Sequence, residues 1–156
     1  MSPFIVAHAG DADWQKALGS CWAQIRAQLT QASKPSLGWC YLTDHHTSAA
    51  GGILAALRER MPEVHWVGTV GLGVAAEATE YFGVPGLVLM LADFPEGTFR
   101  LFSSASPPDE GGFQAFTALV HANGVSPDLP DQLKALSEKT ATGYLFGGLS
   151  SARNQP

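Results

Sequence analysis

Three observations predict an α/β domain on a mixed sheet. Between residues 4 and 67, short apolar runs of strand type alternate with amphipathic segments of helical period, the pattern of parallel strands joined by helices. Residues 77–102 then hold further strand-like runs with only turn signals between them, which predicts an added antiparallel ribbon. Finally, 156 residues are enough for one domain with a core and too few for two independent ones. The expected architecture is a parallel β-α-β-α-β start with helices packed on the sheet, extended by the ribbon.

Phe4-Ile-Val-Ala7 is the first strand. Asp11 or Asp13 then offers a helix cap, and Trp14, Leu18, Cys21, Trp22, Ile25 and Leu29 recur at helical spacing to about Thr30. Lys34-Pro35-Ser36 stops that helix. Leu37-Gly-Trp-Cys-Tyr-Leu42 follows as a continuous apolar strand of the buried kind. Ala49, Ile53, Leu57 and Met61 form one stripe of a second helix, which Pro62 ends. Val64-His-Trp-Val67 opens the third strand. In the ribbon, residues 77–82 and 86–92 flank the turn Gly83-Val-Pro-Gly86, and Pro95-Glu-Gly97 leads into residues 99–102. Residues 103–112, rich in proline and glycine, are the clearest loop and the segment expected to move most. Phe113, Phe116 and Val120 predict a helix ending near Asn123-Gly124, and Leu129, Leu133 and Leu136 a shorter one. Tyr144-Leu-Phe146 is the last strand, and no internal repeat stands out.

Glycine placement carries the functional signal. Residues 65–74, His-Trp-Val-Gly-Thr-Val-Gly-Leu-Gly-Val, interrupt a buried strand with Gly68, Gly71 and Gly73. Glycine weakens a strand and is tolerated where the backbone turns, adopts positive φ, or lets a ligand or another segment approach closely. Tyr-Leu-Phe-Gly-Gly-Leu-Ser-Ser at 144–151 is a second such place. Gly71-Leu-Gly-Val-Ala-Ala76 also has the spacing of a dinucleotide fingerprint, with Asp93 about 20 residues on. That fingerprint needs a crossover helix. Residues 74–82 leave little room for one, and Thr79, Tyr81 and Phe82 favour strand.

Composition excludes several function classes. The net charge is −5, and the 9 Lys and Arg residues are scattered rather than gathered in a stripe, so nucleic acid is not an expected partner. No apolar run of membrane-spanning length and no basic leader is present, so membrane insertion is not expected. Cys21 and Cys40 fall on a helix face and inside an apolar strand, as buried reduced thiols suited to a cytoplasmic protein. Neither their spacing nor the adjacent His45 and His46 makes a metal site, and no cofactor is expected. Charged residues make up only 15% of the chain against a usual value of about 25%. A partner domain or a homo-oligomer interface would account for the shortfall.

Four ordered segments carry a family resemblance: Trp39-Cys-Tyr-Leu-Thr-Asp-His-His46, Leu54-Ala-Ala-Leu-Arg-Glu-Arg-Met-Pro62, Trp66-Val-Gly-Thr-Val-Gly-Leu-Gly-Val74 and Gly86-Leu-Val-Leu-Met-Leu-Ala-Asp-Phe-Pro95. Together with Tyr144-Leu-Phe-Gly-Gly-Leu149 they resemble the N-terminal part of the FIST domain, a sensory module of signal-transduction proteins for which amino acids are proposed as ligands. The resemblance implies that Gly68, Thr69 and Gly71 match the turn after the family's third strand, Glu80 an acidic position, and Gly147-Gly148 its late Gly-Gly. It also implies one FIST-N-like domain over residues 1–156, with the C-terminal FIST half, or an output domain, as the absent partner.

The candidate ligand-binding residues are Asp44, His45, His46, Thr69, Gly71, Gly73, Gly147, Gly148 and Ser150. Asp44-His45-His46 stand where a strand's C-terminal end meets a helix start, the edge at which open α/β sheets bind ligands. Their structural alternative is a helix cap by Asp44 or Thr47 with solvated histidines. For the glycines the alternative is close packing or a bulge. Trp14, Trp22, Phe113 and Phe116 are expected in the core. No serine sits in a Gly-x-Ser-x-Gly elbow, and no catalytic residue is assigned, although His8, Asp44, His45 and Glu80 could converge. A small-ligand sensor is the first expectation; a nucleotide-dependent or hydrolytic small enzyme and a protein-interaction scaffold are the alternatives.

Overall fold

The computed structural model describes residues 4–103 and 113–153, so the expected loop at 103–112 lies outside it apart from Ser103. The described chain forms two compact units, Met1–Pro95 with Ser151–Pro156 and Glu96–Ser150.

The first unit follows the predicted α/β order. Strand β1 (Phe4–Ala9) leads into helix α1 (Trp14–Gln28), whose first turn is capped by Asp13 Oδ1 accepting from the Gln15 N–H at 2.9 Å. Strand β2 (Leu37–Thr43) is buried at most positions, as its unbroken apolar sequence requires. A six-residue 3-10 turn, Asp44–Ala49, then enters helix α2 (Ala50–Arg60), and strand β3 (His65–Gly71) pairs parallel to β2.

The antiparallel pairing expected of residues 77–92 is present, with partners that the sequence did not specify. Strands β4 (Gly73–Ala76) and β5 (Thr79–Phe82) form an antiparallel hairpin of their own. Strand β6 (Leu87–Ala92) inserts between β1 and β2, antiparallel to both, giving the sheet order β1-β6-β2-β3. Both hydrogen-bonding edges of β6 are therefore consumed inside the sheet. Residues 99–102 have no edge of β6 left to pair with and form no strand. The hairpin also removes the dinucleotide fingerprint, because the segment after Gly73 is extended where a helix would have to begin.

One face of the sheet holds the core. Ala7 of β1, Leu87, Leu89 and Leu91 of β6, Leu42 of β2 and Trp66 of β3 pack with Ala17, Leu18, Cys21 and Ile25 of α1 and with Ile53 and Leu57 of α2. Trp66 lies over Gly38, where a Cβ would come within 2.6 Å of the indole. Trp14 and Trp22 pack at the margin of this core, as expected. Burial pushes both free thiols, Cys21 and Cys40, up to about 12, so neither is a thiolate nucleophile at neutral pH.

In the second unit, strand β7 (Ala118–Asn123), helix α3 (Leu129–Glu138) and strand β8 (Leu145–Ser150) make one parallel β-α-β element. The helix predicted from Phe113, Phe116 and Val120 is absent. Residues 113–117 are irregular and 118–123 are extended, because Leu119-Val-His-Ala supplies a ladder for β8 that outweighs a coincidental three-residue spacing of aromatics. Phe116 is accordingly 74% exposed rather than in a core, and the Arg100 guanidinium lies 5.0 Å above the Phe113 ring.

The two units share a local geometry that the sequence does not announce. In β2/β3, Gly68 stands opposite Cys40 with φ +156°, and a Cβ on it would lie 1.8 Å from the Cys40 carbonyl oxygen. In β7/β8, Gly147 stands opposite Val120 with φ +136°, and its Cβ would lie 2.0 Å from the Val120 carbonyl. Each β-α-β element thus closes on a glycine in its second strand. No helix among the described residues is long and apolar enough to cross a membrane.

Candidate functional site

Strands β1, β2 and β3 run in one direction, so their C-terminal ends gather at one edge of the first unit. This is the edge that leaves backbone and loop side chains free to meet a ligand. Thr43 ends β2 fully buried, its Oγ1 accepting from the Gly86 N–H at 2.8 Å while its own N–H donates to the Gly86 carbonyl at 2.9 Å. The chain is thereby fixed just before Asp44-His45-His46.

Asp44 caps no helix: the 3-10 turn has no side-chain cap, and Thr47 Oγ1 donates instead to the Asp44 carbonyl at 2.9 Å. The Asp44 side chain is only 7% exposed. Its Oδ2 accepts from the Arg153 N–H at 3.2 Å and lies 3.5 Å from Arg153 Nε. Its Oδ1, 3.4 Å from His45 Nδ1, has no hydrogen-bond partner. A buried carboxylate oxygen left in this state is costly and accepts readily from any donor that reaches it.

His46 is buried, not solvated, at 2% exposure, and its Nε2 also lacks a partner. Burial holds its imidazole below the usual histidine range; a hydrogen bond from the ring to the Asp11 backbone opposes this, His45 adds to it, and the Asp11 charge opposes it. The folded state therefore favours neutral His46, whereas the unfolded chain takes up the proton near pH 6.5. Its contribution is complete above that value and is lost as pH falls through it toward the lower folded value. His121, also held low by burial, acts in the same direction. Urea midpoints measured from pH 8 to pH 5 should fall, and His46→Gln should flatten the profile by at most about 1.4 kcal/mol per pH unit. Parallel profiles would contradict this account of His46.

The segment Ser151–Arg153 lies along the end of β3. The Ser151 N–H donates to the Val70 carbonyl at 3.1 Å, and Ser151 Oγ accepts from the Leu72 N–H at 3.3 Å. Gly71 and Gly73 are accounted for by packing: a Cβ would lie 3.2 Å from the Gly73 carbonyl in the first case, and 2.9 Å from the Phe82 ring in the second. The Thr69 hydroxyl makes only a long 3.5 Å contact with the Val70 carbonyl.

A second polar group stands at the same edge. His8 Nδ1 is 2.7 Å from the Tyr81 hydroxyl, and His8 Nε2 is 3.9 Å from Glu77. Glu77 sits at φ +53° in the β4–β5 turn, a position that usually takes glycine. His8 thus meets Tyr81 and Glu77, while Glu80 is exposed on β5. Gly147, Gly148 and Ser150 belong to β8 of the second unit, opposite Val120, His121 and Asn123. Arg153, Tyr81 and Glu77 were not foreseen, whereas Ser151 closes the glycine-broken run singled out at 144–151. Nothing in the sequence marks an isolated arginine or a glycine-free hairpin turn as part of a site.

Neither a curated relative nor a solved structure matches the chain. A family model described as the FIST N domain matches residues 36–156, which takes in β2, the Asp44 turn, both glycine-closed β-α-β elements and Arg153. The chain belongs to the FIST N domain family, a family associated with sensory roles in signal transduction.

Proposed function

We propose that the protein is a small-ligand-binding sensory domain whose site lies at the C-terminal edge of the β1-β6-β2-β3 sheet. The observation that carries this is Asp44, a nearly buried carboxylate with one oxygen left without a hydrogen bond at the edge where α/β sheets take ligands. His45 and His46 flank it, and Thr69, Gly71 and Gly73 line the neighbouring strand end and hairpin. Gly147, Gly148 and Ser150, on β8 of the second unit, are candidate ligand contacts of that unit by itself. An amino acid or a similar metabolite fits, because its ammonium group would satisfy Asp44 Oδ1. A C-terminal FIST half or a signalling output domain is the expected partner, and the two free thiols suit a reducing cytoplasm.

The test is a thermal-shift and calorimetric screen of amino acids and small polar metabolites against the protein and Asp44→Asn. At saturating ligand the midpoint should rise in the parent and stay unmoved in Asp44→Asn. A screen in which nothing binds at millimolar concentration, or in which Asp44→Asn responds like the parent, would sink the proposal.

A further inference from the structure

Arg153 satisfies Asp44 incompletely. Backbone N–H and Nε both converge on Oδ2, at 3.2 and 3.5 Å, and leave Oδ1 buried without a hydrogen bond. A guanidinium and a carboxylate pair best through two parallel N–H···O bonds, one to each oxygen. Arg153 does not reach that arrangement, and its side chain is 54% exposed, so its hold is screened and weak.

The charges at this edge favour the same kind of occupant. Asp44, Asp11 beside His46 and Glu77 beside His8 are acidic, and burial keeps His46 neutral. An anionic ligand would meet a buried carboxylate. A planar cation would meet two oxygens, one of them without a hydrogen bond and 3.4 Å from His45 Nδ1.

We infer that Arg153 is an internal stand-in for a small guanidinium- or amidinium-bearing ligand, which takes both oxygens of Asp44 and displaces Ser151–Arg153 from the end of β3. The inference rests on the proposal that this edge is a ligand site, and adds to it the ligand's chemical class and the segment that responds. Displacement has defined reporters. The Arg153 N–H loses Asp44 Oδ2, and the Ser151 and Leu72 N–H groups lose the Val70 carbonyl and Ser151 Oγ.

The experiment follows amide signals and hydrogen exchange of the 15N-labelled full chain during titration with methylguanidinium chloride, with methylammonium chloride and sodium chloride as matched controls. Concentrations stay below about 20 mM, where denaturation by guanidinium is negligible. Methylguanidinium should give saturable shifts at Asp44 and faster exchange at Leu72, Ser151 and Arg153. Methylammonium should bind more weakly, and sodium chloride should do nothing. Arg153→Ala removes the competing guanidinium, though not the backbone N–H, and should tighten methylguanidinium binding by roughly five- to tenfold, whereas Asp44→Asn should abolish it.

Unchanged affinity in Arg153→Ala, or binding without faster exchange at Leu72 and Ser151, overturns the inference. If methylguanidinium fails to bind while a metabolite from the screen binds in an Asp44-dependent way, the inference falls and the ligand site stands. If neither binds, both fall.

Discussion

Gly68→Ala should lower the stability of the protein by about 3 kcal/mol or more, or prevent folding outright. At φ +156°, the new Cβ would lie 1.8 Å from the Cys40 carbonyl oxygen and 2.7 Å from its carbon, distances that real Cβ atoms essentially never show. The obstacle is backbone in a paired strand, so it cannot rotate aside as a side-chain tip would. To make room, β3 would have to part from β2 and break the ladder that pairs Leu37–Thr43 with His65–Gly71. Gly51→Ala in α2 is the matched control, since nothing lies within 4 Å of its added methyl. There the change removes backbone freedom from the unfolded chain and should stabilise by about 0.5–1 kcal/mol. Urea unfolding of both variants checks the pair. A Gly68→Ala protein within 0.5 kcal/mol of the parent, on the scale of ordinary surface changes, would mean that the two strands do not approach as described.

The same residue shows how far the sequence could be read. A glycine inside Trp66-Val-Gly-Thr-Val70 signals that something comes close, but it does not say what. In Gly68 the approaching group is the backbone of β2, in Gly73 the Phe82 ring, and in Gly38 the Trp66 indole. All three are internal packing, so glycine density at 65–74 reported the tightness of the strand and its hairpin. The strands and helices of the first unit were legible because their apolar periods are set locally. The position of β6 was not, since an all-apolar run such as Leu87-Val-Leu-Met-Leu91 suits a central strand and an added ribbon equally, and pairing partners are a long-range choice. The false helix at Phe113–Val120 has the same origin. A three-residue spacing of aromatics mimics helical period when the pairing partner, β8, lies 27 residues on.

Within the candidate site, Asp44-His45-His46 was legible because strand-end polar residues in a β-α-β unit have one place to go. Their partners were not. Arg153 is separated from Asp44 by 109 positions, and an ion pair of that span leaves no local pattern. The capping alternative for Asp44 failed on geometry. The chain enters α2 through a 3-10 turn, which leaves the carboxylate turned toward Arg153 instead of the helix N–H groups.

Leu89→Ala should destabilise by about 3 kcal/mol, within the 2–5 kcal/mol range of large-to-small changes in closed cores. Leu89 is fully buried on β6, opposite Ala7 on one side and Cys40 on the other, on the face that receives α1 and α2. Small neighbours make the loss harder to repair. Ala7 and Cys40 cannot extend into the space, and the strands carrying them are fixed by ladders on both sides of β6, so the cavity should persist. Phe82→Ala is the informative contrast: it removes a larger side chain from a position 72% exposed on β5, and should change stability by less than about 0.5 kcal/mol. Comparable losses in the two variants would place β6 at the sheet margin, as the ribbon expected from sequence would have it. A large loss for Leu89→Ala alone is the signature of a strand that arrives late in the chain and still occupies the centre of the core.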